Sequence, residues 1–215
     1  MTDSKRTTNQ STHPLKTVSR AQAEDAVRTL LAWIGEDPSR EGLVKTPARV
    51  VKAYEEYFGG YTQSPQDCLA TRFRDKVSNY NDIILVKHID VHSHCEHHMV
   101  SMTGVAHVGY IPNREVVGLS KVARVVDMYA KRLQTQENMT LEIANAMSEA
   151  LAPQGVMVMM TLTHNCMVKR GVCKRNAKTT TVTKLGLFLE HPDYAAQFFR
   201  MLNESPQSIS PIQES

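Results

Sequence analysis

Regular patterning begins at Arg20. Ala23, Val27, Leu30, Leu31 and Ile34 recur at helical spacing and Gly35 punctuates the end, which predicts a first helix. Thr46-Pro47 is a helix-start signal, an N-cap residue followed by proline at the first helical position. Val50, Val51, Tyr54, Tyr57 and Phe58 line one side of that helix until Gly59-Gly60. From Asp82 to Ser93 the period falls to two, with Ile83, Leu85, Ile89 and Val91 on one face and His88, Asp90 and His92 on the other. A second strand is expected from Val100 to Ile111, with Gly104 as a turn or bulge.

Ser120 is expected to cap the next helix, whose apolar stripe is Val122, Val125, Val126, Tyr129 and Leu133. Thr135-Gln136-Glu137 interrupts it. A further helix carries Met139, Ile143, Ala146, Met147 and Leu151 before Pro153 and Gly155, its methionines filling core. Val156, Val158, Met160 and Leu162 then share a strand face, and strict alternation carries that face on to His164 and Cys166. Thr179 to Leu185 is a β-branched strand, and Asp193 to Leu202 a closing helix with Tyr194, Phe198 and Phe199.

Antiparallel hairpins joined by helices indicate an α+β fold. Its open four-stranded sheet has unpaired edges, which points to assembly. The expected division is a disordered tail at 1–18, a helical region at 19–60, a catalytic domain at 61–203 and a C-terminal tail at 204–215.

Composition narrows the classes. The 41% hydrophobic and 22% charged fractions of these 215 residues are those of an ordinary globular protein with one sizeable core. A net charge of +3 does not demand a nucleic-acid partner. No apolar run reaches membrane-spanning length and no secretory h-region is visible, so the expectation is a cytoplasmic protein with no membrane partner. Four unevenly spaced cysteines suit free or metal-binding thiols in a reducing compartment.

The chemistry is concentrated between His88 and Pro112, where six of the nine histidines and one of the four cysteines lie. Cys95 and His98 offer a thiolate and an imidazole about one turn of backbone apart, a pairing that suits zinc better than magnesium or calcium. Alone, this C-x-x-H is also what surface histidines near a free thiol would look like. Alternation puts His92 and His94 opposite Cys95, on an exposed or interface face. The strand ending at His164 and Cys166 delivers an imidazole and a thiol where a third ligand is wanted. A buried cysteine acting as a small hydrophobe is the plainer reading of Cys166.

Several motifs resemble GTP cyclohydrolase I: TPARVVKAY at 46–54, CEHH at 95–98, HVGYIP at 107–112, GLSKVARVV at 118–126, QTQE at 134–137, THNCMVKRGV at 163–172 and TTT at 179–181. The resemblance runs from Ala21 to Phe199. It implies the tunnelling fold, two antiparallel hairpins with two helices between them and an N-terminal helical extension. Subunits of such proteins close a β-barrel together, as a homo-oligomer, typically a decamer of two pentamers. The implied reaction converts GTP and water to 7,8-dihydroneopterin triphosphate and formate, the entry to folate or pterin synthesis. The implied Zn2+ ligands are Cys95, His98 and Cys166. Three protein ligands with a fourth position open is the catalytic arrangement, in which zinc activates water to attack purine C8. His164 and His97 are the implied acid–base groups, with His97 also assisting ribose opening and Ser120 the later sugar rearrangement. Glu137, with Gln136 beside it, would hold the guanine donors. Lys121, Arg170, Arg124 and Arg49 would bind the triphosphate. The chain departs from the family pattern at Val100-Ser101-Met102 and at Ala177, none of which is an implied ligand. Cys68 and Cys173 match no catalytic position.

Two other readings remain at this level. A nitrile reductase of the same fold would need a nucleophilic cysteine in place of the zinc trio. A structural zinc module binding RNA through Lys169 to Lys178 would fill four metal positions, and that segment has no aromatic for base stacking.

Overall fold

A computed structural model of the chain describes residues 18–73 and 80–204. The tails expected at 1–18 and 204–215 lie outside these residues except for Val18 and Glu204. The chain divides into two compact units, one up to Glu56 and one from Tyr57.

In the first unit, α1 (Arg20–Trp33) opens on a capping box between Ser19 and Gln22. Its apolar stripe is largely open: Leu30, Trp33 and Ile34 are all exposed. Arg20 bonds Glu55 of α2 (Thr46–Tyr57) at 3.1 Å. Thr46 is itself helical, so the signal at Thr46-Pro47 marks the helix start one residue late.

The second unit begins with a 3-10 turn (Gly59–Thr62), then α3 (Pro65–Cys68) and β1 (Arg72–Phe73). The first hairpin is β2 (Ile84–Cys95) and β3 (Ser101–Ile111). After β4 (Val116–Val117) come α4 (Leu119–Ala130), β5 (Leu133–Gln134) and α5 (Gln136–Leu151). The second hairpin is β6 (Gly155–His164) and β7 (Thr179–Gly186), interrupted by α6 (Asn165–Val168). The chain closes with α7 (Leu187–Glu190) and α8 (Pro192–Asn203). The main sheet runs β5-β2-β3-β6-β7, antiparallel except for β5, which lies parallel to β2. A two-stranded pairing of β1 with β4 stands apart. The sheet therefore has five strands, not the expected four. A two-residue strand such as β5 is too short for any alternation to reveal.

One face of the sheet is covered by α4 and α5, and part of the other by α7 and α8. Val122, Val125 and Val126 of α4 and Met139, Ile143 and Met147 of α5 join Ile89, Val91, Val156, Val158, Met160 and Leu162 in the main core. Those methionines are fully buried, as core filling requires. Under α7 and α8, Ile83, Ile111, Met157, Phe188 and Phe198 form a smaller second core.

Strand β2 feeds both cores because it is bulged. Its register against β3 shifts between Val86 and Ile89, and His88 there has φ 56°. The inserted residue reverses the alternation. Ile83 and Leu85 consequently pack with the second core, and Ile89 and Val91 with the main one, where strict alternation put all four on one face. The His88 amide donates to His107 Nδ1 at 3.2 Å.

Gly104 is neither turn nor bulge. It sits in regular register between Val91 and Leu162, and a Cβ there would fall 2.1 Å from the Thr161 carbonyl oxygen. Close backbone approach is what demands glycine. Gly104→Ala is expected to cost about 1–3 kcal/mol, the scale of overpacking, read as a lower urea midpoint at unchanged slope. Ser120 does not cap α4 either. Gly118 is the N-cap, without a side-chain bond, and Ser120 is the second helical residue.

Candidate active site

Strand β2 ends at Cys95, and a tight turn brings the following histidines back over it. The Met99 amide donates to Cys95 O at 2.8 Å and the Cys95 amide to Val100 O at 2.9 Å. Met99 adopts φ 54°, the left-handed conformation that closes the turn. Outside it, the Glu96 amide donates to Gln134 O at 3.0 Å, so β5 holds the turn from the sheet edge. As a result His98 Nδ1 lies 3.8 Å from Cys95 Sγ. His97 Nδ1 lies 3.7 Å from the same sulfur, and its Nε2 is 3.6 Å from Glu96 on a largely exposed side chain.

The third group arrives by a different route from that expected. Strand β6 stops at His164, and Cys166 sits on the single turn of α6. Asn165 Nδ2 donates to Ser101 Oγ at 2.6 Å, pinning that turn to the start of β3. The donor atoms of Cys95, His98 and Cys166 all lie within 4.8 Å of one another.

This set fits zinc. Bonds of about 2.0–2.3 Å place tetrahedral donors roughly 3.3–3.8 Å apart, so the Cys95–His98 spacing already matches and only a small closing movement is needed elsewhere. Two thiols and an imidazole are the donors that favour zinc over hard cations. Burial pushes the Cys166 thiol up, and the adjacent Cys95 pushes it further, while Arg170 opposes both.

His164 stands beside this group. Its Nε2 is 2.7 Å from Gln136 Oε1. Burial pulls its pKa below the usual imidazole value, and the Glu137 carboxylate acts the other way. His92 is exposed. His94, placed by alternation on the same open face, is instead half-buried against the rings of Tyr57 and Phe58, at 4.9 and 5.3 Å. Its Nδ1 is buried without a hydrogen-bond partner among the described residues, and burial lowers its pKa.

The sequence model of GTP cyclohydrolase I matches residues 23–203. The chain belongs to the GTP cyclohydrolase I family. GTP cyclohydrolase 1 of Brucella canis is 52% identical over 187 residues, 87% of this chain and 87% of that protein. GTP cyclohydrolase 1 of Maricaulis maris is 51% identical over 187 residues, 87% of this chain and 91% of that one. The crystal structure of the apo archaeosine synthase QueF-Like covers 49% of this chain and 94% of its own, at 19% identity and a TM-score of 0.40. That likeness is too low to bear on the fold or activity of this chain.

For a GTP cyclohydrolase I family enzyme, the remaining candidate residues are unevenly placed within one chain. Glu137 is exposed in the first turn of α5. Arg170 is exposed just beyond α6. On α4, Ser120 and Arg124 are exposed and Lys121 is half-buried. Arg124 lines a cavity of about 420 Å³ together with Asp67, Cys68, Asp127 and Lys131, and none of Cys95, His98 and Cys166 borders it. Arg49 is exposed on α2 in the first unit. Gln136 is 1% exposed, with its amide nitrogen on the Met160 and Thr179 carbonyls and its amide oxygen facing His164 Nε2.

Sequence reasoning missed Ser101, Asn165 and Gln134, which position the trio through hydrogen bonds. Their only signal was to sit inside or beside family motifs. Cys68 and Cys173 are free thiols, as expected.

Proposed function

We propose that this chain hydrolyses the imidazole ring of GTP, releasing C8 as formate and yielding 7,8-dihydroneopterin triphosphate, the first step of folate or pterin synthesis, in the cytoplasm. The observation that carries this reading is the convergence of Cys95, His98 and Cys166 beside His164 in a chain of this family. When bound by those three residues, zinc supplies the Lewis acidity that makes water a competent nucleophile near neutral pH. His164 holds or moves a proton at the purine ring, and His97 serves ribose opening. Ser120 serves the later rearrangement. Glu137 accepts from the guanine N1–H and 2-amino group, and Lys121, Arg124, Arg170 and Arg49 bind the triphosphate.

The same reading makes the enzyme a homo-oligomer of the tunnelling fold, a decamer of two pentamers whose sheets close into a barrel. It is supported by β7, which forms one edge of the main sheet with Thr180 and Val182 exposed. It is also supported by the cavity that Arg124 lines, which none of Cys95, His98 and Cys166 borders. Light scattering should give a mass many times 24.1 kDa.

The test of function is formate release from GTP measured together with metal content. The expected result is zinc-dependent formate release in step with GTP consumption. Zinc-loaded protein that releases none would overturn the reading. Glu137→Gln leaves guanine donors unpaired, worth about 1–3 kcal/mol, so its KM for GTP should rise by about 5- to 150-fold with zinc still bound.

A further inference from the structure

We propose that Gln136 is a positioning residue that orients the His164 ring by accepting a hydrogen bond from its Nε2–H. This deepens the proposed function and rests on His164 being its acid–base group.

Gln136 Nε2 lies 3.0 Å from Met160 O and 2.9 Å from Thr179 O. Both are carbonyls, which only accept. It also lies 3.1 Å from Thr181 Oγ1. That hydroxyl is oriented by a chain. Thr140 Oγ1 donates to Gln136 O at 2.7 Å, which uses its one proton. In its 2.7 Å contact with Thr181, Thr140 must therefore accept and Thr181 donate. The lone pairs of Thr181 are thus left for the Gln136 amide. Three acceptors surround Gln136 Nε2. Turning the amide over would set Oε1 against two carbonyl oxygens with no proton between them, in a side chain 1% exposed.

Gln136 Oε1 must then be the atom facing His164 Nε2 at 2.7 Å. An amide oxygen only accepts, so the imidazole nitrogen donates. This holds for the neutral ring and for the imidazolium alike, and in both Nε2 keeps its proton. The network crosses from α5 to β7 through Thr140 and Thr181, so the orientation of the imidazole is built into the packing of helix on sheet.

The intact enzyme, labelled with 15N-histidine, reads the tautomer directly, with His164→Gln identifying the resonance. The expected spectrum of the wild type without substrate shows His164 Nε2 protonated. Gln136→Leu should lose that preference and lower kcat by about 10²-fold, with KM for GTP and zinc content little changed. Gln136→Glu, whose second carboxylate oxygen would face the Met160 and Thr179 carbonyls with no proton between them, should not restore the turnover. An Nδ1–H tautomer in the wild type overturns the proposal, whatever the variants do. So does a Gln136→Leu enzyme whose kcat is unchanged while KM rises, because that places Gln136 on the guanine. The tautomer is measured without GTP. Absence of formate release therefore overturns the functional reading, while an Nε2–H signal still supports the assignment of the proton.

Discussion

Cys166→Ala is expected to empty the metal site and stop turnover together. Cys95, His98 and Cys166 come from two turns joined only through the sheet, and removing one leaves two donors, too few to retain a catalytic zinc. Bound zinc should fall to near zero and formate release by about 10³-fold or more, since the activated nucleophile is worth several kcal/mol. Cys166 is the informative position because it is half-buried on a single helical turn, whereas Cys95 is 5% exposed in the main core. Its replacement should leave the fold intact by circular dichroism. Full zinc occupancy with unimpaired turnover would remove Cys166 from the site.

His164→Ala should behave in the opposite way. Zinc stays, GTP still binds, and the rate falls by about 10²–10⁴-fold, the usual worth of a positioned acid–base group. Equilibrium dialysis with GTP and metal analysis on one preparation separate the two phenotypes. Loss of zinc from this variant would make His164 a fourth donor and the site a closed one. The variant also strands Gln136 Oε1 without its donor at 2.7 Å. A modest loss of stability, about 1–3 kcal/mol, should accompany it.

Much of the architecture was legible in the chain. The order of helices and hairpins follows from the switch between periods of two and of about 3.6. What was hidden is instructive. The bulge at Lys87–His88 breaks the alternation without glycine or proline to mark it, and a left-handed histidine is invisible to pattern reading. The turn at Asn165 breaks it again, and there the error was harmless, because Cys166 reaches Cys95 from a helical turn as readily as from an extended strand. Gly104 misled because glycine signals both turns and close approaches, and only the neighbouring backbone decides which. In the site, residue types singled out the three side chains that the fold brings together as a group able to hold a metal. They could not reveal that Gln136 faces inward, since a glutamine in the first turn of a helix commonly faces water.

The dependence of the trio on two separate turns has a kinetic consequence. Cys95 and His98 belong to one hairpin turn and become neighbours as soon as β2 and β3 pair. Cys166 joins them only after the chain has passed through α4 and α5 and β6 has docked along β3. A nascent or partly folded chain that lacks the β3–β6 pairing therefore presents two donors and a weak affinity, and the third arrives with that long-range pairing. Metal affinity then rises steeply late in folding, so that zinc uptake during refolding should lag the growth of helical signal and coincide with final compaction.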